Sequence, residues 1–368
     1  MSFVGYFKMD KENIEEYFPC DELVNELLDL LIHDYHVIGI RGFRRSGKSS
    51  LIKYFLSFFS AEDFEVRYVD ISKVKDHTSV ENTLKNIKEK LNDKPTLWKV
   101  IKELIALKNE RVARNAEKIH DFINQKKKEE KIKIYAFDEV QSFAIRQGSY
   151  FSKEDAYIFV EFINNHIDDN TYIIFTGSQV GAFNKFLKIY DKKVVSKMKC
   201  NNHIVDIGQM SPEDIGEFLS TGFEQNHKNM PEDFPDRVYE SIGGFVGYVL
   251  DAGRMLATYG HNVIHPSIVD TVIQKQKTLL FESIEDELNA LDETLNLRSR
   301  MSLEILKFIA ENDPNRKELL DKFQGNIDGE TLKTLLNILD QMDLITRKHN
   351  KVRAYPFIKN YYGALLDV

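Results

Sequence analysis

The chain has 368 residues, long for one hydrophobic core and enough for two or three domains. A formal charge of -8 excludes a protein coated in basic surface for gripping nucleic acid, so any DNA contact has to be a local patch. Cys20 and Cys200 are too few for a disulfide framework or a cysteine zinc site, and no uninterrupted apolar run approaches a membrane span, so the expectation is a cytoplasmic protein with no membrane partner.

The first element is a strand, VIGI (37–40), followed by the loop GFRRSGKSS (42–50) and a helix beginning LIKYFLSFF. Strand, glycine-bounded loop and helix aim backbone N–H groups and the positive helix end at one point, the place for a polyphosphate. The expected phosphate ligands are Gly42, Arg45, Ser46, Gly47, Lys48, Ser49 and Ser50. Lys48 is expected along the β and γ phosphates, and the Ser49 hydroxyl on a magnesium ion; Ser50 need not touch nucleotide. EVRYVDIS (65–72) reads as a second strand, and Ser79 to Lys131 as charged crossover helices. KIKIYAFDEVQSF (131–143) reads as a buried third strand ending in Asp138 and Glu139, TYIIFTGSQVG (171–181) as a fourth and HIVDIGQMS (203–211) as a fifth. Strands alternating with helices predict a doubly wound α/β sheet with its ligand at the carboxyl ends of the strands.

From Ser211 the pattern turns helical, with Ser211 and Glu213 opening a capped helix, and a helical lid is expected to about residue 290. The last segment reads as three helices, MSLEILKFIAEN, RKELLDKF and GETLKTLLNILDQM, then a hairpin with His349 and Asn350 near its turn, the order of a winged helix. The expected domains are a core over 1–210, a lid over 211–290 and a winged helix over 291–368.

Asp138 and Glu139 end the third strand where a phosphate-loop enzyme needs one carboxylate for magnesium and another to deprotonate water. Thr176 and Ser178 end the next strand, within expected reach of the γ phosphate or the lytic water. The third helix of the winged segment offers Thr331, Lys333 and Asn337 but also Glu330 and Asp340, a poor face for a polyanion. The edge after it is better: Arg347, Lys348, Lys351, Arg353 and Lys359 meet no acid between Leu344 and Tyr362, which makes it a candidate DNA contact.

GFRRSGKSSLI, the strand endings FDEVQ and FTGSQVG, and GGFVGYVL (243–250) together resemble the archaeal ATPase family, within the signal-transducing NTPases related to AAA+ proteins. The resemblance spans roughly Tyr17 to Tyr362 and implies an ASCE-type P-loop core, a helical lid and a C-terminal winged helix. It implies that Gly42, Gly47, Lys48 and Ser49 bind phosphates and metal, that Asp138 and Glu139 form the Walker B pair, and that Thr176 lies near the sensor 1 position. Three positions depart from the family pattern: Asp21 stands where an arginine is usual, Val246 replaces the proline of G-G-x-P-G, and Lys197 and Lys199 stand where a glycine-arginine pair often follows the sensor strand. Arg254 is a candidate lid arginine. Lysine lacks the planar fork of a trans-acting arginine, so slow turnover is expected.

The reading is an ATP- and Mg2+-dependent switch that couples nucleotide state to homo-oligomerisation, or to DNA or protein binding. Three alternatives stand beside it: an ATPase of DNA segregation or transposition acting through oligomers on DNA, a nucleotide-binding regulator without significant hydrolysis, and a small-molecule kinase. Glu139 beside Asp138 favours water as acceptor over a kinase substrate.

Overall fold

The structure, a computed structural model, describes residues 21–59, 63–73, 131–143, 169–178, 202–224, 226–258, 264–348 and 351–366, with single positions between 118 and 126, at 159, and between 180 and 186. Most of the expected crossover helices, both cysteines, Lys197, Lys199, His349 and Asn350 lie outside the described residues.

Five strands form one sheet: β1 (Val37–Arg41), β2 (Phe64–Asp70), β3 (Ile132–Asp138), β4 (Thr171–Gly177) and β5 (Asn202–Asp206), in the order β2-β3-β4-β1-β5. Every neighbouring pair is parallel. β1 and β4 are buried at every position, which is why both read as unbroken apolar runs rather than alternating ones. One face of the sheet, through Ile38, Ile134 and Ile174, shares a core with Leu27 and Leu31 of helix α1 (Asp21–Ile32) and Ile52 and Phe55 of α2 (Lys48–Leu56). Alternation sends Phe137 and Phe175 to the other face, where they meet Phe159, with Phe186 beside Phe159 and Phe175.

Four helices follow: α3 (Pro212–Glu224), α4 (Phe234–Ile242), α5 (Val246–Thr258) and α6 (Pro266–Leu295). The cap of α3 is reciprocal, the Asp214 N–H donating to the Ser211 hydroxyl at 3.1 Å and the Asp214 carboxylate accepting the Ser211 N–H at 3.2 Å. The partner is therefore Asp214, one residue beyond the Glu213 read from the sequence, because the third helical position is the one that reaches back. The boundary expected at 290/291 falls inside α6, whose buried Ile284, Leu288 and Leu291 run through that point without a break.

The C-terminal segment holds α7 (Met301–Asn312), α8 (Arg316–Lys322), α9 (Gly329–Gln341) and the antiparallel hairpin β6 (Ile345–Lys348) and β7 (Lys351–Ala354). Asn315 bridges Lys351, and the Val352 N–H donates to the Pro314 carbonyl at 2.8 Å, so the hairpin gains a third extended partner between α7 and α8. A last helix, α10 (Pro356–Leu366), occupies what the sequence reading took as the hairpin's trailing edge. It buries Phe357, Ile358 and Tyr362, and one apolar cluster joins it to the lid helices.

Candidate functional site

The loop between β1 and α2 lies at the carboxyl edge of the sheet. Gly47, at φ 93°, begins α2 in a left-handed conformation that glycine adopts without strain. Lys48 is 4% exposed, and its ammonium donates to the carbonyls of Gly42 at 3.0 Å and Phe43 at 2.8 Å and to the Ser46 hydroxyl at 3.3 Å. Thus the loop's cation is held at the loop's own centre. Ser49 and Ser50 follow it in the first turn of α2, both partly exposed.

Two strands away in the sheet order, β3 brings Asp138 and Glu139 to the same edge. Asp138 is 2% exposed and its two oxygens have separate partners: Oδ1 accepts from the Thr176 hydroxyl and from the Glu139 N–H at 3.1 Å, while Oδ2 accepts from the Tyr68 hydroxyl at 2.5 Å. Tyr68 sits on β2, and nothing in the sequence pattern singles it out. Glu139 has φ 59°, a sharp turn directly after the strand, and its carboxylate accepts from Gln141 and from the Ser178 hydroxyl at 2.8 Å. Thr176 and Ser178 therefore each support one member of the acidic pair. Ser49 and Asp138 supply hydroxyl and carboxylate oxygens, hard donors that suit magnesium. Among the described residues no group of three His, Cys, Asp or Glu could hold an ion.

Residues 22–252 match the family described as an ATPase domain predominantly from Archaea. The chain belongs to that family. Its fold is similar to that of a Walker-type ATPase of Pyrococcus abyssi, 22% identical with a TM-score of 0.63 over 97% of this chain and 99% of that one. It is also similar to the ORC2 protein of Aeropyrum pernix in its ADPNP–ADP complexes, at 14% identity and a TM-score of 0.54 over 99% of this chain and 98% of that one. No curated protein matches the sequence. At such identities the two structures establish a shared P-loop fold.

The phosphate loop has an acidic neighbour that its motifs do not announce. Glu287, on α6, is 4% exposed; its Oε1 lies 4.0 Å from Arg44 Nε and has no hydrogen-bond partner. Burial pushes its carboxyl up to about 8, against the pull of Arg44 and Lys48 and with help from Glu139 and Asp286. Burial likewise brings the Lys48 ammonium down to about 8, although Glu139, Glu287 and Asp138 all favour its charged form. A residue far along the chain thus reaches the electrostatics of the ATPase loop.

The lid is stitched to the loop at Arg45, itself left-handed at φ 64°. Its guanidinium donates to the Gly247 carbonyl at 3.2 Å, pairs with Asp251 and lies 4.6 Å from the centre of the Tyr248 ring. The Gly247 N–H returns a bond to the Arg45 carbonyl at 2.9 Å, and a Cβ on Gly247 would stand 2.8 Å from that oxygen, so the glycine permits the close approach. Val246 occupies the family's proline position with its Cγ1 3.0 Å from where a Gly47 Cβ would stand. Gln209 joins a third part: its Oε1 accepts the Gly244 N–H at 2.8 Å and its amide donates to the Asp343 carbonyl at 2.8 Å.

Two further groups of expected residues have other partners. Arg254 is 3.9 Å from Asp251 on the lid helix, with its side chain 41% exposed. The basic edge is less free than its own segment implies, and this corrects the reading that it meets no acid. Arg347 donates to Asp340 at 2.7 Å, Lys359 pairs with Asp313 at 2.6 Å, and Arg353 lies 4.0 Å from Asp313. The acids come from α9 and from the turn after α7, which folding places alongside. Lys348 and Lys351 are exposed and have no ion pair among the described residues. No helix among the described residues is long and apolar enough to cross a membrane.

Proposed function

We propose that the protein binds ATP with magnesium and hydrolyses it slowly, as a switch whose nucleotide state is passed to the lid and the C-terminal helices. The observation that carries this reading is the convergence of Lys48, Ser49, Asp138 and Glu139 on one edge of the sheet, with Arg45 tying that edge to the lid. In this reading the backbone from Gly42 to Ser50 and the Lys48 ammonium hold the phosphates, and Ser49 and Asp138 hold the ion, which offsets phosphate charge. Glu139 takes a proton from the attacking water, and Thr176 fixes the Asp138 carboxylate through its hydroxyl. Glu139 has to leave Gln141 and Ser178 to reach a water, which supports slow turnover and favours, as the second reading, a regulator that holds nucleotide without significant hydrolysis.

Glu139→Gln tests both readings: it is expected to keep ATP binding and abolish phosphate release. Phosphate release by the wild type without any added acceptor excludes the kinase reading, and release by the variant at the wild-type rate removes Glu139 from its role. We further propose that α7, α8, α9 and the hairpin act as a winged helix toward DNA or a protein, and that Arg254 or the lysines at 197 and 199 complete a neighbour's site in a homo-oligomer. Specific activity that stays constant over a wide dilution series, with a monomeric mass in ATP, would rule out that trans contribution.

A further inference from the structure

Metal ligation requires an oxygen with a lone pair to offer, and the two oxygens of Asp138 are not equivalent. Oδ1 is committed twice, to the Thr176 hydroxyl and to the Glu139 N–H at 3.1 Å, both fixed by the ends of β3 and β4. Oδ2 has one recorded partner, the Tyr68 hydroxyl at 2.5 Å. The phenol therefore sits on the carboxylate oxygen that Thr176 and the Glu139 N–H leave free.

The framework makes this placement firm. Tyr68 stands opposite Ala136 and Asp70 opposite Asp138 in the parallel register, so Tyr68 and Asp138 are diagonal neighbours on the same face of the sheet. The Lys53 ammonium, on the helix that Lys48 opens, lies 5.2 Å from the centre of the Tyr68 ring, a second contact to that side chain.

We propose that Tyr68 is a positioning residue that guards the metal site: its hydroxyl holds Asp138 Oδ2, and a metal ion competes with that hydroxyl for the same oxygen. The inference rests on the nucleotide reading of the same site. A buried carboxylate is costly without a donor, and the phenol meets that need. A cation and a hydroxyl proton on the same oxygen draw on the same electron density and repel each other, so the phenol raises the ion concentration at which the metal–nucleotide complex forms.

Tyr68→Phe keeps the ring and removes the competitor. With ADP present, Mn2+ binding followed by electron paramagnetic resonance is expected to be about tenfold tighter in the variant than in the wild type, the size of one hydrogen bond to a charged group. The variant's melting temperature without metal should fall, and saturating Mn2+ and ADP should restore it. ADP affinity in EDTA should be unchanged, whereas a general disturbance of packing would lower it. Equal or weaker Mn2+ binding by the variant overturns the inference for Tyr68 alone. A wild type that binds no ADP with or without metal overturns both this inference and the nucleotide reading.

Discussion

Arg45 and Asp251 stand 206 positions apart in the chain and form an ion pair between the phosphate loop and the lid helix. The same arginine lies on the Tyr248 ring, so one side chain bonds the loop to about one turn of α5 through Gly247, Tyr248 and Asp251. Arg45→Ala is expected to leave the sheet intact but free the lid, weakening ATP binding several-fold. Asp251→Asn should do so less, since it leaves the ring contact and the Gly247 bond in place. Isothermal titration of both variants checks the order; equal loss would place the effect in the ion pair alone.

Lys48→Ala should abolish ATP binding or weaken it at least about a hundredfold, because it removes the cation at the loop's centre. Retention of affinity within a few-fold of wild type would refute the loop's role.

The nucleotide-free protein should be least stable near pH 8. Glu287 has a folded value of about 8 against an ordinary 4.5, so the stability it contributes is full below 4.5 and is lost as pH rises toward 8. Lys48 has a folded value of about 8 against 10.5, so its contribution is present above 10.5 and lost as pH falls toward 8. Urea denaturation across pH 5 to 10 should show the minimum, and Glu287→Gln should remove the decline on its acid side. A wild-type profile that is flat over pH 5 to 8 would contradict the buried, unpaired carboxyl.

Much of this site was legible because its pieces are contiguous in sequence. The loop from Gly42 to Ser50 and the pair Asp138–Glu139 each carry their geometry locally, and the five strands followed from apolar runs that end in turn residues. Tyr68, Gln141, Arg45's lid partners and Glu287 did not stand out, since each acquires its meaning only from a neighbour supplied by the fold. Glu287 looked like one more acid on a charged helix until Arg44 and Lys48 were placed near it. The basic edge was misread for the same reason, because its neutralising acids, Asp313 and Asp340, lie in other elements. The break expected at 290/291 falls inside α6, because a helix's apolar stripe does not register which neighbours it serves.

Those ion pairs narrow the DNA question to Lys348 and Lys351. Reversing both to glutamate should weaken binding to a DNA duplex uniformly across sequences and flatten its salt dependence, with ATP binding spared. Absence of wild-type DNA affinity even at low salt would leave that edge as a surface for a protein.

The apolar cluster shared by the lid and the C-terminal helices governs how the molecule comes apart. Met301, Ile305 and Leu335 pack in the same core as Val249, Val272 and Ile284, with α6 passing between the two sets as a common spine. Neither half has a complete interior of its own. Cooperativity should therefore divide this protein into a sheet block and a single helical block, and a recombinant piece ending at Ala290 would present a raw apolar face to solvent and aggregate rather than stand as an independent ATPase core.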